Sequence, residues 1–310
     1  MSLEECLSVA DQLADLGCRR VSMIGGEVFM RCDWASIVER LTERGIRVCI
    51  ITNGFLFAPE LVSELKRVRI ESIAVSVDGT QSVHDKYRRQ GSFLRAMNAI
   101  DTLSAAGIPV SVITTLNAEN APLLENMYAE LLRHRIGAWQ LQACSPMGNA
   151  GEGGVDYRFD PNAVIAFVER HADAPFALGI ADNIGYFTEG EGNLRGDRSG
   201  KAVFEGCAAG LSAIGIDSVG NVRGCESMYD ERFNEGNLRE RSLADIWNDE
   251  NAFAYNRNFT SELLTGKCAD CEHGRYCAGG CRSYNHFVHG KLYEAPRCAR
   301  VLKNEANVND

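Results

Sequence analysis

The 310-residue sequence has no apolar run of about 18 residues, the length that a helix needs to span a bilayer, so we expect no membrane partner. Its first residues, Met1 to Glu5, also lack the basic stretch and apolar core of a secretion signal, which favours a cytoplasmic location. Basic residues are in deficit, because 42 acidic against 32 basic side chains give a formal charge of −10. Nucleic-acid-binding proteins present a basic surface to phosphates, so this charge argues against a nucleic-acid partner.

Cysteine, by contrast, is abundant, with twelve residues. In a chain without a secretion signal they indicate metal ligation rather than disulfides. Thiolates at short spacings can converge on a soft metal or on an iron–sulfur cluster. Taken alone, the spacing leaves a structural zinc ribbon as the alternative, since paired C-x-x-C segments also hold zinc. Seven cysteines in the last third of the chain form this array: Cys207, Cys225, Cys268-x2-Cys271-x5-Cys277-x3-Cys281 and Cys298.

The first half of the chain alternates apolar, strand-like runs with amphipathic helical stretches. Such alternation predicts a parallel sheet, either doubly wound or curved into a barrel. Strands are predicted at 20–24, 48–52, 73–77, 110–114 and 139–143, with a weaker one at 176–180. The clearest helical patterns cover 3–16, 35–42, 93–105 and 122–134.

A segment rich in Gly, Asp, Asn and Glu, residues 188–200, predicts a linker between two domains. Beyond it the pattern changes to short clusters of cysteine, glycine and turn formers. Residues 211–217 and 221–223 flank a Val219-Gly220 turn, which predicts a small β-hairpin.

Polar motifs follow three successive predicted strands: Gly25-Gly26-Glu27, Thr52-Asn53-Gly54 and Ser76-Val77-Asp78-Gly79. Active sites of α/β barrels are built at the carboxyl ends of strands, so these motifs predict a site there. Glycines let the backbone approach a ligand closely, and an acidic side chain can pair with an ammonium group.

Together, the seven cysteines match the spacing of the SPASM domain, C-x(9–15)-G-x4-C, gap, C-x2-C-x5-C-x3-C, gap, C. This domain is the C-terminal extension of radical S-adenosylmethionine (SAM) enzymes that mature peptides and proteins. The resemblance implies two auxiliary 4Fe–4S clusters. Some members add a fourth ligand to the nearer cluster at the place where this chain has Ala213. By the same resemblance the nearer cluster is held by Cys207, Cys225 and Cys281, and the outer cluster by Cys268, Cys271, Cys277 and Cys298.

The strand-end motifs resemble, in order and spacing, those of the radical SAM fold, a partial (β/α)6 barrel. The resemblance implies that Gly25, Gly26 and Glu27 hold the methionyl amine of SAM, and that Ser76 and Asp78 lie on its ribose side. Arg88 or Arg89 is an expected partner of the SAM carboxylate, with a solvated surface charge as the alternative.

One element of that family does not occur in the sequence: the C-x3-C-x2-C motif that binds the radical-generating 4Fe–4S cluster in the loop after the first barrel strand. We therefore expect an α/β chain with a partial barrel that lacks its first strand at residues 1–187, the linker at 188–200, and a SPASM domain at 201–310. Truncation at the N-terminus is the expected cause. The third cluster is then expected only in an N-terminally extended protein.

The resemblance implies a peptide maturase, in which a 5′-deoxyadenosyl radical takes a hydrogen atom from a peptide or protein substrate. Its electron donor would be a flavodoxin or ferredoxin. A sulfatase-type maturase, which oxidises Ser or Cys to formylglycine, is one alternative. Such enzymes carry an Asp after the second cysteine of the array, where this chain has Glu226, an expected catalytic base. The other alternative is a non-catalytic iron–sulfur electron-transfer or peptide-binding subunit.

Overall fold

A computed structural model of the chain describes residues 1–181, 183–186, 190–196 and 203–302. The chain divides into two compact units. The first comprises residues 1–141 and 173–177, and the second comprises residues 142–172 together with the chain from residue 178 onward. Of the described helices, none is both long and apolar enough to cross a bilayer.

The first half of the chain forms an α/β fold around a six-stranded sheet whose strands lie in sequence order. The pairs β1–β2, β2–β3 and β3–β4 are parallel, with Arg20 opposite Arg47 at the start of the first pair. This confirms the predicted parallel sheet and all six of its strands. They are β1 (Arg20–Met23), β2 (Arg47–Thr52), β3 (Ser72–Ser76), β4 (Val110–Leu116), β5 (Ala138–Ala143) and β6 (Ala177–Ile180).

Helices connect the strands, as expected for parallel pairs, which need crossover connections. Those before β6 are α1 (Leu3–Asp15), α2 (Trp34–Glu43), α3 (Pro59–Arg67), α4 (Gln81–Tyr87), α5 (Ser92–Ala105), α6 (Leu124–Leu131), α7 (Gly148–Glu152) and α8 (Pro161–Arg170). Helix α1 begins with a capping box: the Ser2 hydroxyl accepts from the Glu5 N–H, and the Glu5 carboxylate accepts from the Ser2 N–H.

The central strands bury β-branched side chains completely. Val48 and Ile50 of β2, Ile73 and Val75 of β3, and Val112 of β4 have no exposed surface. Because β1, β2 and β3 run parallel, their carboxyl ends meet at one edge of the sheet. The polar motifs predicted at the ends of β1, β2 and β3 therefore share this edge.

The remainder of the chain has short elements around the cysteine array. The predicted hairpin is present, as β7 (Gly215–Ile216) paired antiparallel with β8 (Asn221–Arg223). A third strand, β9 (Gly236–Asn237), pairs with β8 and was not predicted. The helices here are α9 (Glu191–Leu194), α10 (Leu243–Asn248), α11 (Ala254–Arg257), α12 (Gly274–Cys277) and α13 (Arg282–His289).

The predicted linker, residues 188–200, falls partly outside the described residues, which exclude 188–189 and 197–200. Its described part contains α9, where Glu191 and Arg195 form an ion pair at 2.7 Å with little exposed surface. The domain limits at 187 and 201 remain a prediction.

Candidate functional site

Glu27 lies just after β1, and its carboxylate reaches the end of the neighbouring strand β2. It accepts hydrogen bonds from the Thr52 hydroxyl at 2.9 and 3.0 Å and from the Asn53 N–H at 2.8 Å. Two of the three strand-end motifs are thereby joined through one acidic side chain. The Glu27 carboxylate also accepts from the Phe29 N–H at 3.4 Å. Since a carboxylate offers about four acceptor positions, these three donors leave one for a ligand ammonium group.

The two glycines that precede Glu27 leave their backbone open. A Cβ atom built on Gly25 or Gly26 meets no heavy atom within 4 Å, and both residues are exposed. Gly25 has φ +146, a backbone conformation that residues other than glycine rarely adopt. The geometry therefore suits a backbone that a small ligand approaches directly.

Asp78 and Arg88, both expected at the SAM site, contact each other. Arg88 Nε donates to Asp78 Oδ2 at 2.6 Å, and the Thr115 N–H donates to Asp78 Oδ1 at 2.9 Å. Asp78 thus ties the end of β3 to α4 and to β4. Ser76 ends β3 two residues earlier, with its side chain partly buried.

The buried imidazole of His84 completes this junction. Its Nδ1 accepts a hydrogen bond from the Asp78 N–H at 3.0 Å. Burial, reinforced by the nearby Arg88 charge, lowers the pKa of His84 to about 4. His84 is therefore neutral at physiological pH and serves as an acceptor.

In the second unit, four of the seven predicted ligands line one cavity. They are the set assigned to the outer cluster: Cys268, Cys271, Cys277 and Cys298. Tyr186, His273 and Arg300 also line it. The fold thus brings the first and last of these cysteines, which are 30 residues apart in sequence, to the same cavity.

Burial is the main influence on the pKa of three of these thiols. It raises the pKa of Cys268 and of Cys298, and it raises the pKa of Cys277 to about 12. A buried thiolate is costly without a compensating positive charge, and a coordinated metal supplies that charge. The chemistry of this donor set therefore fits an iron–sulfur cluster.

The three ligands expected for the nearer cluster are less uniformly placed. Cys207 and Cys225 pack against Ala209, Met228 and Phe233. Cys281 instead packs with a group that includes Cys268, Cys277 and Cys298, three of the four cysteines expected to bind the outer cluster. Electrostatics nevertheless couples the two groups, because burial, then the Glu226 charge, and more weakly the Cys281 charge raise the pKa of Cys225.

Glu226 is exposed, and its carboxylate oxygen Oε2 accepts from the Cys225 thiol at 3.3 Å. It therefore lies beside Cys225, one of the three cysteines expected to bind the nearer cluster. Its role as a base remains a prediction.

A single metal ion would need its ligands around one point, with sulfurs about 2.3 Å from a zinc. Across the described residues, no three His, Cys, Asp or Glu side chains converge in that way. In a 4Fe–4S cluster each cysteine binds a different iron, so the ligands stand around a larger body. None of the twelve cysteines forms a disulfide.

Comparison with known proteins agrees with this geometry. The model of the Radical SAM superfamily matches residues 1–131, and the SPASM model, an iron–sulfur cluster-binding domain, matches residues 207–272. The chain is a radical SAM protein with a SPASM domain. The fold, the SAM-binding domain and the iron–sulfur domain predicted from the sequence are thereby confirmed.

Two curated relatives match nearly all of this radical SAM/SPASM chain. The AdoMet-dependent heme synthase of Methanosarcina barkeri is 28% identical over 310 residues, covering 96% of this chain and 87% of the relative. The mycofactocin maturase MftC of Mycobacterium ulcerans is 28% identical over 304 residues, covering 93% and 76%. Among solved structures, Streptococcus suis SuiB bound to S-adenosylmethionine superimposes with a TM-score of 0.73 at 17% identity, covering 95% of this chain and 69% of SuiB.

Sequence reasoning missed one buried side chain near the cysteines of the SPASM region, that of Arg282, which follows Cys281 directly. An arginine in a polar helix looks solvent-exposed in sequence. Only the adjacency of Arg282 to a predicted ligand offered a signal.

Proposed function

We propose that this chain is the catalytic body of a radical SAM peptide maturase, which modifies or crosslinks a ribosomally made peptide. The observation that carries the proposal is the combination of two features in one chain. One is an open glycine backbone beside the Glu27 carboxylate, suited to the amino-acid end of SAM. The other is the cysteine-lined cavity. A simple electron carrier would need only the second.

In this proposal Glu27 pairs with the SAM ammonium, and the backbone at Gly25 and Gly26 lines the ligand. The Asp78 and Arg88 pair fixes the end of β3 on the ribose side. Glu226 accepts a proton from the substrate beside the nearer cluster. Bound SAM and clusters supply the one-electron chemistry that removes a hydrogen atom from a peptide side chain. The cysteines hold the auxiliary clusters in the two sets already named.

This reaction requires a radical-generating cluster, whose C-x3-C-x2-C motif does not occur in the 310 residues. The first experiment therefore reads the genomic DNA upstream of the Met1 codon, in frame, for that motif. The protein that includes it is then expressed without oxygen together with short peptides encoded beside its gene. A reducing cytoplasm and a flavodoxin or ferredoxin as electron donor belong to the same proposal.

The expected result is SAM-dependent loss of two hydrogen atoms from one peptide, with tandem mass spectrometry locating a crosslink. A product that instead reacts with a hydrazide probe, which detects aldehydes, would identify the formylglycine alternative. Fully loaded protein that cleaves no SAM in the presence of reductant would overturn the enzyme proposal in favour of an electron-transfer or peptide-binding subunit.

A second candidate function is the synthesis of heme. It is favoured by the heme synthase relative, which matches 96% of this chain. Its test is expression of the complete protein in a heme-deficient host. Restored heme would support this candidate, whereas a modified peptide without restored heme would support the maturase.

A further inference from the structure

Arg282, the first residue of α13, is completely buried although it carries a charge. One of its nitrogens, Nη1, donates to the carbonyl oxygens of Ala278, of Leu292 at 3.0 Å and of Gly280 at 3.5 Å. Two of these carbonyls belong to the three-residue loop between Cys277 and Cys281. The side chain therefore holds the segment that joins a ligand of the outer cluster to a ligand of the nearer one.

The other two nitrogens of the guanidinium, Nε and Nη2, have no hydrogen-bond acceptor in the described part of the protein, although both are buried. A buried charged donor without an acceptor costs several kcal/mol, on the order of what breaking a buried ion pair costs. A buried polar group that is left unsatisfied in a native fold calls for an explanation, and an acceptor outside the polypeptide supplies one.

The surroundings of the guanidinium indicate what kind of acceptor this is. The aromatic rings of Tyr293 and Phe259 lie with their centroids 4.5 and 5.4 Å from Cζ, so their faces cover the cation. Arg282 follows Cys281 directly, and its Nη1 holds two carbonyls of the loop that joins Cys277 to Cys281. Cys281 is a proposed ligand of the nearer cluster, and Cys277 is a proposed ligand of the outer one.

We propose that Arg282 is the internal counter-ion of the two auxiliary clusters, with Nε and Nη2 donating hydrogen bonds to sulfur atoms of the nearer cluster. This inference rests on the proposed function, because it needs the clusters to be present. The potential of an iron–sulfur cluster depends on net charge and on hydrogen bonds to its sulfurs. A buried guanidinium stabilises the reduced cluster, which carries one more negative charge. Arg282 thus makes the nearer cluster easier to reduce.

The first measurement uses the native sequence, so it does not depend on any variant folding. Protein labelled with 15N in arginine side chains is loaded with iron and sulfide, reduced, and studied by pulsed electron paramagnetic resonance. A weak 15N coupling to the reduced cluster is expected, and it disappears in R282K, whose lysine carries no label. Loaded protein with a cluster signal but no 15N coupling would overturn the hydrogen-bond assignment.

The second measurement is an anaerobic redox titration of R282Q followed by the same resonance. At a fixed potential the ratio of reduced to oxidised nearer cluster is expected to fall about tenfold, equivalent to about 59 mV for a one-electron couple. R275Q is the matched control, because Arg275 is exposed on the preceding helix and water screens its charge. An unchanged ratio in iron-loaded R282Q would overturn the counter-ion role.

These outcomes separate the inference from the proposal beneath it. If unmodified protein binds no clusters, the cluster assignment itself fails. If it binds them, but the native protein shows no 15N coupling and R282Q has an unchanged cluster potential, only the role of Arg282 fails.

Discussion

The phenol oxygen of Tyr186 accepts a hydrogen bond from the backbone N–H of Cys281 at 2.9 Å. Tyr186 also lines the cavity of the outer cysteines, and its backbone carbonyl accepts from the Cys298 thiol at 3.7 Å. Burial raises the pKa of Tyr186 well above its usual value, so the phenol stays neutral. One residue, through its side chain and its backbone, therefore contacts a proposed ligand from each cluster set.

The space beside Tyr186 leads to a first prediction, for Gly280. A Cβ atom there would lie 2.8 Å from Cε2 of Tyr186, and the backbone has φ +88. We expect G280A to lower the free energy of unfolding by about 3 kcal/mol, adding a steric clash to the left-handed backbone penalty. G290A is the control, because Gly290 has φ +68 and open space, so about 1 kcal/mol is expected. Chemical unfolding of both variants decides, and equal losses would contradict the packing at Tyr186.

A second prediction concerns Glu27 and SAM. E27Q removes the charge that pairs with the SAM ammonium, so we expect the dissociation constant for SAM to rise at least about tenfold. T52V removes one hydrogen bond to Glu27 but keeps its charge, and we expect a rise of less than about threefold. Isothermal titration calorimetry measures the dissociation constants of both variants. E60Q is the control, because Glu60 is exposed on α3. Wild-type affinity in E27Q would refute the assignment.

The cavity cysteines give a third prediction. Protein reconstituted with iron and sulfide should hold about eight iron atoms per chain, four for each auxiliary cluster. C268A should lose about four of them, because the outer cluster loses a ligand while the nearer one keeps its own. C49A, which changes a half-buried cysteine of β2, should lose none. Elemental analysis with Mössbauer spectroscopy counts the iron, and full loading of C268A would exclude Cys268 as a ligand.

A fourth prediction follows from the neutral, buried imidazole of His84. Its pKa of about 4 lies below the value of about 6.5 for an unfolded chain, so the unfolded state binds a proton more readily between these values. The contribution to stability is complete above pH 6.5 and falls by about 3 kcal/mol as the pH drops to 4.

This contribution can be measured in a W247F background, which leaves Trp34 and Trp139 of the first unit as fluorescent reporters. Denaturant unfolding between pH 4 and 7 should show the His84 component in the parent and in H134Q. It should be missing from H84Q. An identical pH slope in H84Q would show that His84 does not titrate as proposed.

The fifth prediction tests Glu226 in the complete enzyme. If its carboxylate accepts the substrate proton, E226Q should keep its iron and lower the turnover number at least about hundredfold, the usual contribution of a general base. E226D should recover part of that loss. Cys225 loses its carboxylate acceptor in E226Q, so iron content is measured alongside. Normal turnover with normal iron would remove Glu226 from the mechanism.

Much of the fold was predictable, because the strands combine buried β-branched residues with regular amphipathic helices between them. All six strands of the large sheet lie within two residues of their predicted limits. Strand β9 was missed because Gly236 and Asn237 have low strand propensity, and only its pairing with β8 forms it. The contact between Asp78 and Arg88 was also missed, since it depends on α4 returning to the end of β3. The burial of Arg282 follows from tertiary packing, which a local sequence pattern does not reveal.

The loop between Cys277 and Cys281 has left-handed backbone at all three positions, with φ 54 at Ala278, 79 at Gly279 and 88 at Gly280. A residue with a side chain at such a position has a conformational energy penalty of about 1 to 2 kcal/mol. The penalty is smallest for Asn and largest for β-branched residues. The variable positions of a C-x3-C spacing are therefore not interchangeable. A search profile written as C-[AN]-G-G-C-R would select chains that turn between these two cysteines in the same way. Chains with the bare spacing alone would then be set apart as a different structural class.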